Sequence, residues 1–150
     1  TPKVYAKSKF LFKNDFSFFK KKNSLFSMTA HIIYKDIDAD QPATLSKKVI
    51  NDIIRKKIGF NGLIMTDDIS MKAIKISVAD AAVKSLDSGC DLILHCNGNM
   101  KEMESIAESI NKEVNLIGIP DNLIKIFGIK SAAQPNELKE ELKKTLEALD

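Results

Sequence analysis

From residue 27 to residue 112 the chain alternates short apolar or β-branched runs with stretches whose apolar positions recur every three to four residues. Strands present side chains with a period of two and helices with a period of 3.6, so this alternation predicts consecutive β/α units around a parallel sheet. The first unit opens with a strand over residues 27–34 and a polar loop containing Asp36, Asp38, Asp40 and Pro42. Ser46 is placed as an N-cap, because its hydroxyl can accept from a free amide of the first helical turn. Val49, Ile50, Ile53, Ile54 and Ile58 then form one helical face, and Gly59 supplies a left-handed stop.

Asn61-Gly62 turns the chain into a second strand, residues 63–67, apolar enough to be covered on both faces. The helix predicted over residues 77–88 buries Val78, Ala81, Ala82, Ser85 and Leu86, and Gly89 ends it. The third unit has Leu92, Ile93 and Leu94 as strand and Met100, Met103, Ile106, Ala107 and Ile110 as helix stripe.

The ends follow a different pattern. Residues 1–14 read as irregular, and Asp15 as the cap of a short helix with Phe16 and Phe19 inward. Beyond residue 113, Pro135 starts a helix whose Leu138, Leu142, Leu146 and Leu149 form one stripe. The expected organisation is therefore a loop and short helix over 1–26, β/α units over 27–112 and a helical tail over 113–150.

Composition adds boundary conditions. The chain has 150 residues, 44% of them hydrophobic, enough for one core. Its 23 Lys and Arg against 20 Asp and Glu, scattered except at Lys20, Lys21 and Lys22, give no nucleic-acid footprint. No apolar stretch approaches the roughly 20 residues of a membrane span. Cys90 and Cys96 flank one strand-like run, which would hold them about 20 Å apart, beyond disulfide reach. Two unpaired thiols predict a reducing compartment, the cytoplasm by default.

In sheets of β/α units, ligands bind at the carboxyl ends of the strands. That rule selects His31, Asp67 with Asp68, and His95 with Asn97. Asp67 follows a dry strand and emerges at the sheet rim, where a carboxylate can serve as a glycosidase nucleophile, a helix cap or a loop anchor. Asp68 points to the opposite face and caps the next turn through Ser70. A metal-dependent hydrolase built from His31, Asp67, Asp68 and His95 is the competing chemistry, although no His-x-His or Glu-x-x-His spacing supports it. The methionines read as core filler, and no phosphate-binding glycine loop occurs.

The segments Met28-Thr29-Ala30-His31-Ile32-Ile33-Tyr34, Pro42-Ala43-Thr44-Leu45-Ser46, residues 58–73 with Thr66-Asp67-Asp68-Ile69-Ser70-Met71 at their centre, and residues 89–98 stand in the order and spacing of one family. Over residues 15–104 the chain resembles bacterial family-three glycoside hydrolases, in the branch that acts on N-acetylglucosaminides. The resemblance implies the last three or so strands of a (β/α)8 TIM barrel, with Asp67 as the nucleophile of a retaining β-N-acetylglucosaminidase. It implies a muropeptide substrate, N-acetylglucosaminyl-1,6-anhydro-N-acetylmuramic acid with or without peptide, and no metal or organic cofactor. His31 and Ser70 are the candidates for substrate contact.

In the family the acid/base is a histidine paired with an aspartate, upstream of the segment seen here, and the sugar-binding Arg, Lys and His lie further upstream. These are expected to belong to a missing N-terminal half of the barrel, since a complete one needs about 250 residues. The chain alone is expected to be inactive and to carry an open sheet edge. A catalytically silent half-barrel is the remaining alternative.

Overall fold

The computed structural model describes residues 1–20 and 24–113. The helical tail expected beyond them, including Pro135 and its leucine stripe, lies outside the described residues, as do Lys21 and Lys22.

Two parallel pairings organise the backbone. Strand β2, Phe26–Met28, pairs with β4, Leu63–Met65, in the register Ser27 to Ile64. Strand β1, Lys3–Val4, pairs with β3, Ile33–Tyr34. On its other side β4 meets Leu92 through a parallel bridge at Met65. β4 is thus the middle of a parallel layer running from β2 through β4 to Leu92, as consecutive β/α units require.

The strand expected over residues 27–34 is broken in two. Thr29 still donates its amide to the Met65 carbonyl at 2.9 Å, but Ile32 already accepts from Ala43, and Ile33 donates to Pro2. With these partners taken, the chain leaves β4 at His31 and joins β1. The third run is likewise shorter than a strand. Thr66 donates its amide to the Leu92 carbonyl at 3.0 Å, but Leu94 donates to the Thr66 hydroxyl at 2.8 Å. A side chain has replaced the next rung of the ladder.

The helices lie where their periodicity puts them. A helix wound in the wider π register, Lys48–Ile58, buries Val49, Ile50 and Ile53 and ends on Gly59 at φ +80°. Ser46 accepts from the Val49 amide at 3.1 Å and donates to Asp38 Oδ2 at 2.7 Å, so the expected cap is itself anchored to the preceding loop. Helix α2, Val78–Ser88, starts on Ser77, which accepts from Asp80 at 3.0 Å, and stops on Gly89 at φ +106°. Its small residues Ala81, Ala82 and Ser85 are fully buried, which permits close approach to its neighbours.

Helix α3, Met100–Glu113, buries Ile106 against Ala81, Ala82, Ile69 and Ile74. Its predicted stripe is only half used, because Met100, Met103 and Ala107 are exposed. A second core cluster joins Ile50, Phe60, Ile64 and Cys90 beneath the sheet.

The N-terminal segment departs most from expectation. Residues 1–14 are ordered, as β1 and helix α1, Ser8–Asn14. The first amide of α1, Ser8 N, donates at 2.7 Å to Asp36 Oδ2, a cap supplied from 28 residues away. A 3₁₀ turn follows at Phe16–Phe19, with no side-chain cap bond from Asp15. Phe16 is buried as predicted, but Phe19 is exposed. Among the described residues no helix is long and apolar enough to cross a membrane.

Candidate active site

The site is assembled at the carboxyl end of β4. Ile64 is fully buried in the strand and Thr66 just beyond it; Thr66 is tied to the neighbouring run through the two bonds to Leu92 and Leu94. The chain then surfaces, and Asp67 is half-buried at the rim. Its Oδ1 accepts from the Asp68 amide at 2.8 Å, its only hydrogen bond among the described residues. A carboxylate held this loosely retains lone pairs that can face a substrate.

Asp68 is differently employed. Its Oδ1 accepts from Ser70 N at 3.0 Å, Ser70 Oγ at 2.8 Å and the Cys96 amide at 3.1 Å, and Oδ2 accepts from the same Ser70 hydroxyl at 2.8 Å. Burial pushes the Asp68 pKa up, but the Ser70 bonds, the Cys96 amide and nearby His95 outweigh it and hold the carboxyl below its ordinary value. Asp68 is thus a loop anchor, as its position on the opposite face predicts, and it consumes the hydroxyl of Ser70. The expectation that Ser70 contacts substrate must share that hydroxyl with Asp68.

His31 is 4% exposed, and both ring nitrogens are engaged inside the protein. Nε2 lies 2.8 Å from the Asp68 carbonyl and Nδ1 2.8 Å from Thr44 Oγ1. A carbonyl only accepts, so Nε2 carries a proton, and in the neutral ring Nδ1 accepts from the Thr44 hydroxyl. Thr44 in turn lies 2.9 Å from Thr29 Oγ1. With Thr29 and Thr44 also buried, a buried chain of hydrogen bonds runs from Thr29, just past β2, to the carbonyl of Asp68.

The residues of the metal alternative are engaged with other partners. His31 has no free nitrogen to offer, and His95 Nε2 is 2.8 Å from Glu102 Oε2. Among the described residues no group of three or more His, Cys, Asp or Glu is disposed to hold a metal ion. His31, Asp67, Asp68 and His95 are brought to one end of the sheet but do not converge on a point.

Sequence reasoning missed two participants. Thr44 sits inside the Pro42–Ser46 motif and carries no charge to draw notice. Glu102 collects His95, Asn97 Nδ2 at 2.8 Å and Asn99 Nδ2 at 3.4 Å, which fixes the loop entering α3. The side chain of His95 is 7% exposed, and its Nδ1 is buried with no hydrogen-bond partner among the described residues.

Parallel strands that deliver their polar residues to a common carboxyl-terminal rim, with helices packed behind, define a segment of a β/α-barrel protein. The glycosyl hydrolase family 3 N terminal domain matches residues 1–127. The chain belongs to this family, and forms part of its TIM barrel.

Solved relatives agree with the fold. The chain is similar to CbsA from Thermotoga neapolitana, at 34% identity and a TM-score of 0.65 over 74% of this chain and 27% of that one. It is similar to the β-N-acetylglucosaminidase from Thermotoga maritima, at 33% identity and a TM-score of 0.65 over 73% and 25%. The β-hexosaminidase of Actinobacillus succinogenes is 46% identical over 72 residues, 47% of this chain and 20% of that protein. That of Mannheimia succiniciproducens is 38% identical over 103 residues, 65% of this chain and 29% of that protein. The chain therefore spans a fifth to under a third of the length of these relatives.

Proposed function

We propose that Asp67 is the nucleophile of a retaining β-N-acetylglucosaminidase whose barrel this chain helps to form. The observation that carries the reading is the contrast at the end of β4: Asp67 is left half-exposed with one local hydrogen bond, while its neighbour Asp68 is consumed by the fold. In a retaining mechanism an ionised carboxylate attacks the anomeric carbon, the aglycone departs, and water then releases the sugar from the covalent intermediate. Asp67 has the exposure and position for that attack. Relatives named β-hexosaminidase and β-N-acetylglucosaminidase support an amino-sugar substrate.

The finer reading is that the substrate is a muropeptide fragment, N-acetylglucosaminyl-1,6-anhydro-N-acetylmuramic acid with or without peptide, and that it is cleaved in the cytoplasm. Two free cysteines support a reducing compartment. By the family resemblance the reaction also needs an acid/base histidine and sugar-binding Arg, Lys and His expected upstream of the segments matched here. Loss of general acid/base catalysis alone costs about 10² to 10⁴-fold in rate, so the isolated chain is expected to turn over poorly.

The test is mass spectrometry after trapping with a 5-fluoro N-acetylglucosaminide, using this chain co-assembled with the remaining barrel of a relative. A covalent adduct on Asp67 is expected. Turnover with no adduct, or an adduct on another residue, would overturn the assignment.

A further inference from the structure

We infer that His31 and Thr44 are positioning residues for Asp67, acting through the carbonyl of Asp68, one peptide beyond the Asp68 amide that Asp67 itself bonds. The inference rests on Asp67 being the nucleophile. Among the described residues Asp67 itself has no side-chain partner that would fix its direction; its one bond there is to the amide of Asp68. Its aim is therefore set by the backbone of Asp68, whose amide it bonds and whose carbonyl is held from elsewhere. Two contacts hold the carbonyl of Asp68: the Met71 amide at 3.1 Å, which belongs to the same turn, and His31 Nε2 at 2.8 Å, which arrives from 37 residues away.

His31 is in turn held by Thr44, and Thr44 by Thr29, whose amide is bonded to Met65 in β4. The circuit starts on β4, passes through three buried polar side chains and returns to the turn at the end of β4. Polar groups taken this far from water are costly unless every member is satisfied, and here each link is. The circuit spends an imidazole and two hydroxyls, where apolar residues of similar volume would fill the same space, to fix one carbonyl. Misplacing a reacting group by about 1 Å can cost on the order of 10²-fold in rate, which is what a fixed carbonyl next to the nucleophile guards against.

The two ends of the imidazole can be tested separately in the co-assembled barrel, with the rate constant and the binding constant of 5-fluoro N-acetylglucosaminide trapping as readouts. In His31→Gln the side-chain amide nitrogen reaches the position of Nε2 and keeps the bond to Asp68. In His31→Asn the amide reaches only the position of Nδ1, keeps Thr44 and vacates that bond. Thr44→Val removes the hydroxyl that fixes the ring, and Thr44→Ser restores it.

Trapping is expected to slow about 10- to 100-fold in His31→Asn and Thr44→Val with the binding constant unchanged, and to stay within a few-fold of the unsubstituted rate in the other two. Equal rates in all four variants would overturn the positioning role and leave Asp67 as nucleophile. So would a loss in all four that follows their thermal stability, because that is the signature of packing alone. Absence of an Asp67 adduct in the unsubstituted protein would remove the nucleophile assignment and this inference together.

Discussion

Arg55 Nη2 meets Asp91 Oδ2 at 2.6 Å, and the same carboxylate oxygen accepts from the Ile64 amide at 2.7 Å. Arg55 also donates through Nη1 to the carbonyls of Phe60, at 3.1 Å, and Gly62, at 2.6 Å. One ion pair thus joins the end of the π helix, the turn into β4 and the start of the third unit. It lies at the amino end of β4, opposite Asp67, so its work is structural. Both side chains are less than a third exposed, which makes the pair worth more than a surface bridge.

Asp91→Ala strips a charged acceptor from Arg55 and leaves the Ile64 amide unpaired. The expected cost is about 1 to 3 kcal/mol, read from urea unfolding. Arg55→Met should give a similar loss, and the double variant less than the sum. Strict additivity would mean that the two residues do not act on each other.

Gly62 and Gly59 make a contrasting pair. A Cβ on Gly62 would lie 2.5 Å from the Leu25 carbonyl oxygen, 2.9 Å from that of Ser24 and 2.7 Å from the Phe60 ring. Backbone oxygens cannot step aside without moving β2, so Gly62→Ala is expected to cost about 1 to 3 kcal/mol through overpacking. Gly59 has open space around it and only its positive φ to defend, so Gly59→Ala should cost about 1 kcal/mol. Thermal denaturation of the two variants gives the order, and Gly59→Ala as the more damaging change would contradict it.

Where one side chain or one period decides the outcome, the sequence was enough. Ser46, Gly59 and Gly89 punctuate helices because their local chemistry has few other uses, and Asp67 and Asp68 part company because successive residues face opposite ways. What could not be read were the exchanges between distant segments. Asp36 capping α1, Thr66 replacing a rung for Leu94 and Thr44 holding His31 all depend on partners 13 to 28 residues apart. No periodicity encodes such pairings. The exposure of Met100 and Met103 has a related origin: the stripe on α3 is present, but among the described residues α2 with Ile69 and Ile74 covers it only around Ile106.

Asp36 should titrate abnormally. The Ser8 amide and then the Lys7 ammonium, 2.9 Å away, hold its carboxyl down at about 2, against an ordinary aspartate near 4. A carboxylate with a depressed folded pKa stabilises the fold above the ordinary value, and that contribution fades as pH falls from about 4 toward about 2. Stability of the natural chain should therefore decline over that interval more steeply than that of Asp36→Asn, in denaturant titrations at several pH values. Carbon NMR of the Asp36 carboxyl offers a direct check, and a midpoint near 4 would show that the cap is not formed. Added salt should weaken the Lys7 part of the effect and spare the Ser8 hydrogen bond.

Asp67 and Asp68 provide the sharpest separation of chemistry from stability, since they are adjacent and of one residue type. Removing the Asp67 carboxylate breaks a single bond to a neighbouring amide, so Asp67→Ala should change folding stability by no more than about 0.5 kcal/mol. Its rate in the completed barrel should fall on the order of 10⁴-fold or more. Removing the Asp68 carboxylate releases Ser70 and cuts the tie to Cys96 that joins the second and third loops. Asp68→Ala should therefore cost about 1 to 3 kcal/mol in stability. Its residual activity at temperatures where the variant stays folded should exceed that of Asp67→Ala. Parallel denaturation and turnover measurements on the two variants decide the matter. If Asp68→Ala were the catalytically dead one and Asp67→Ala the destabilised one, the roles assigned at the end of β4 would have to be exchanged.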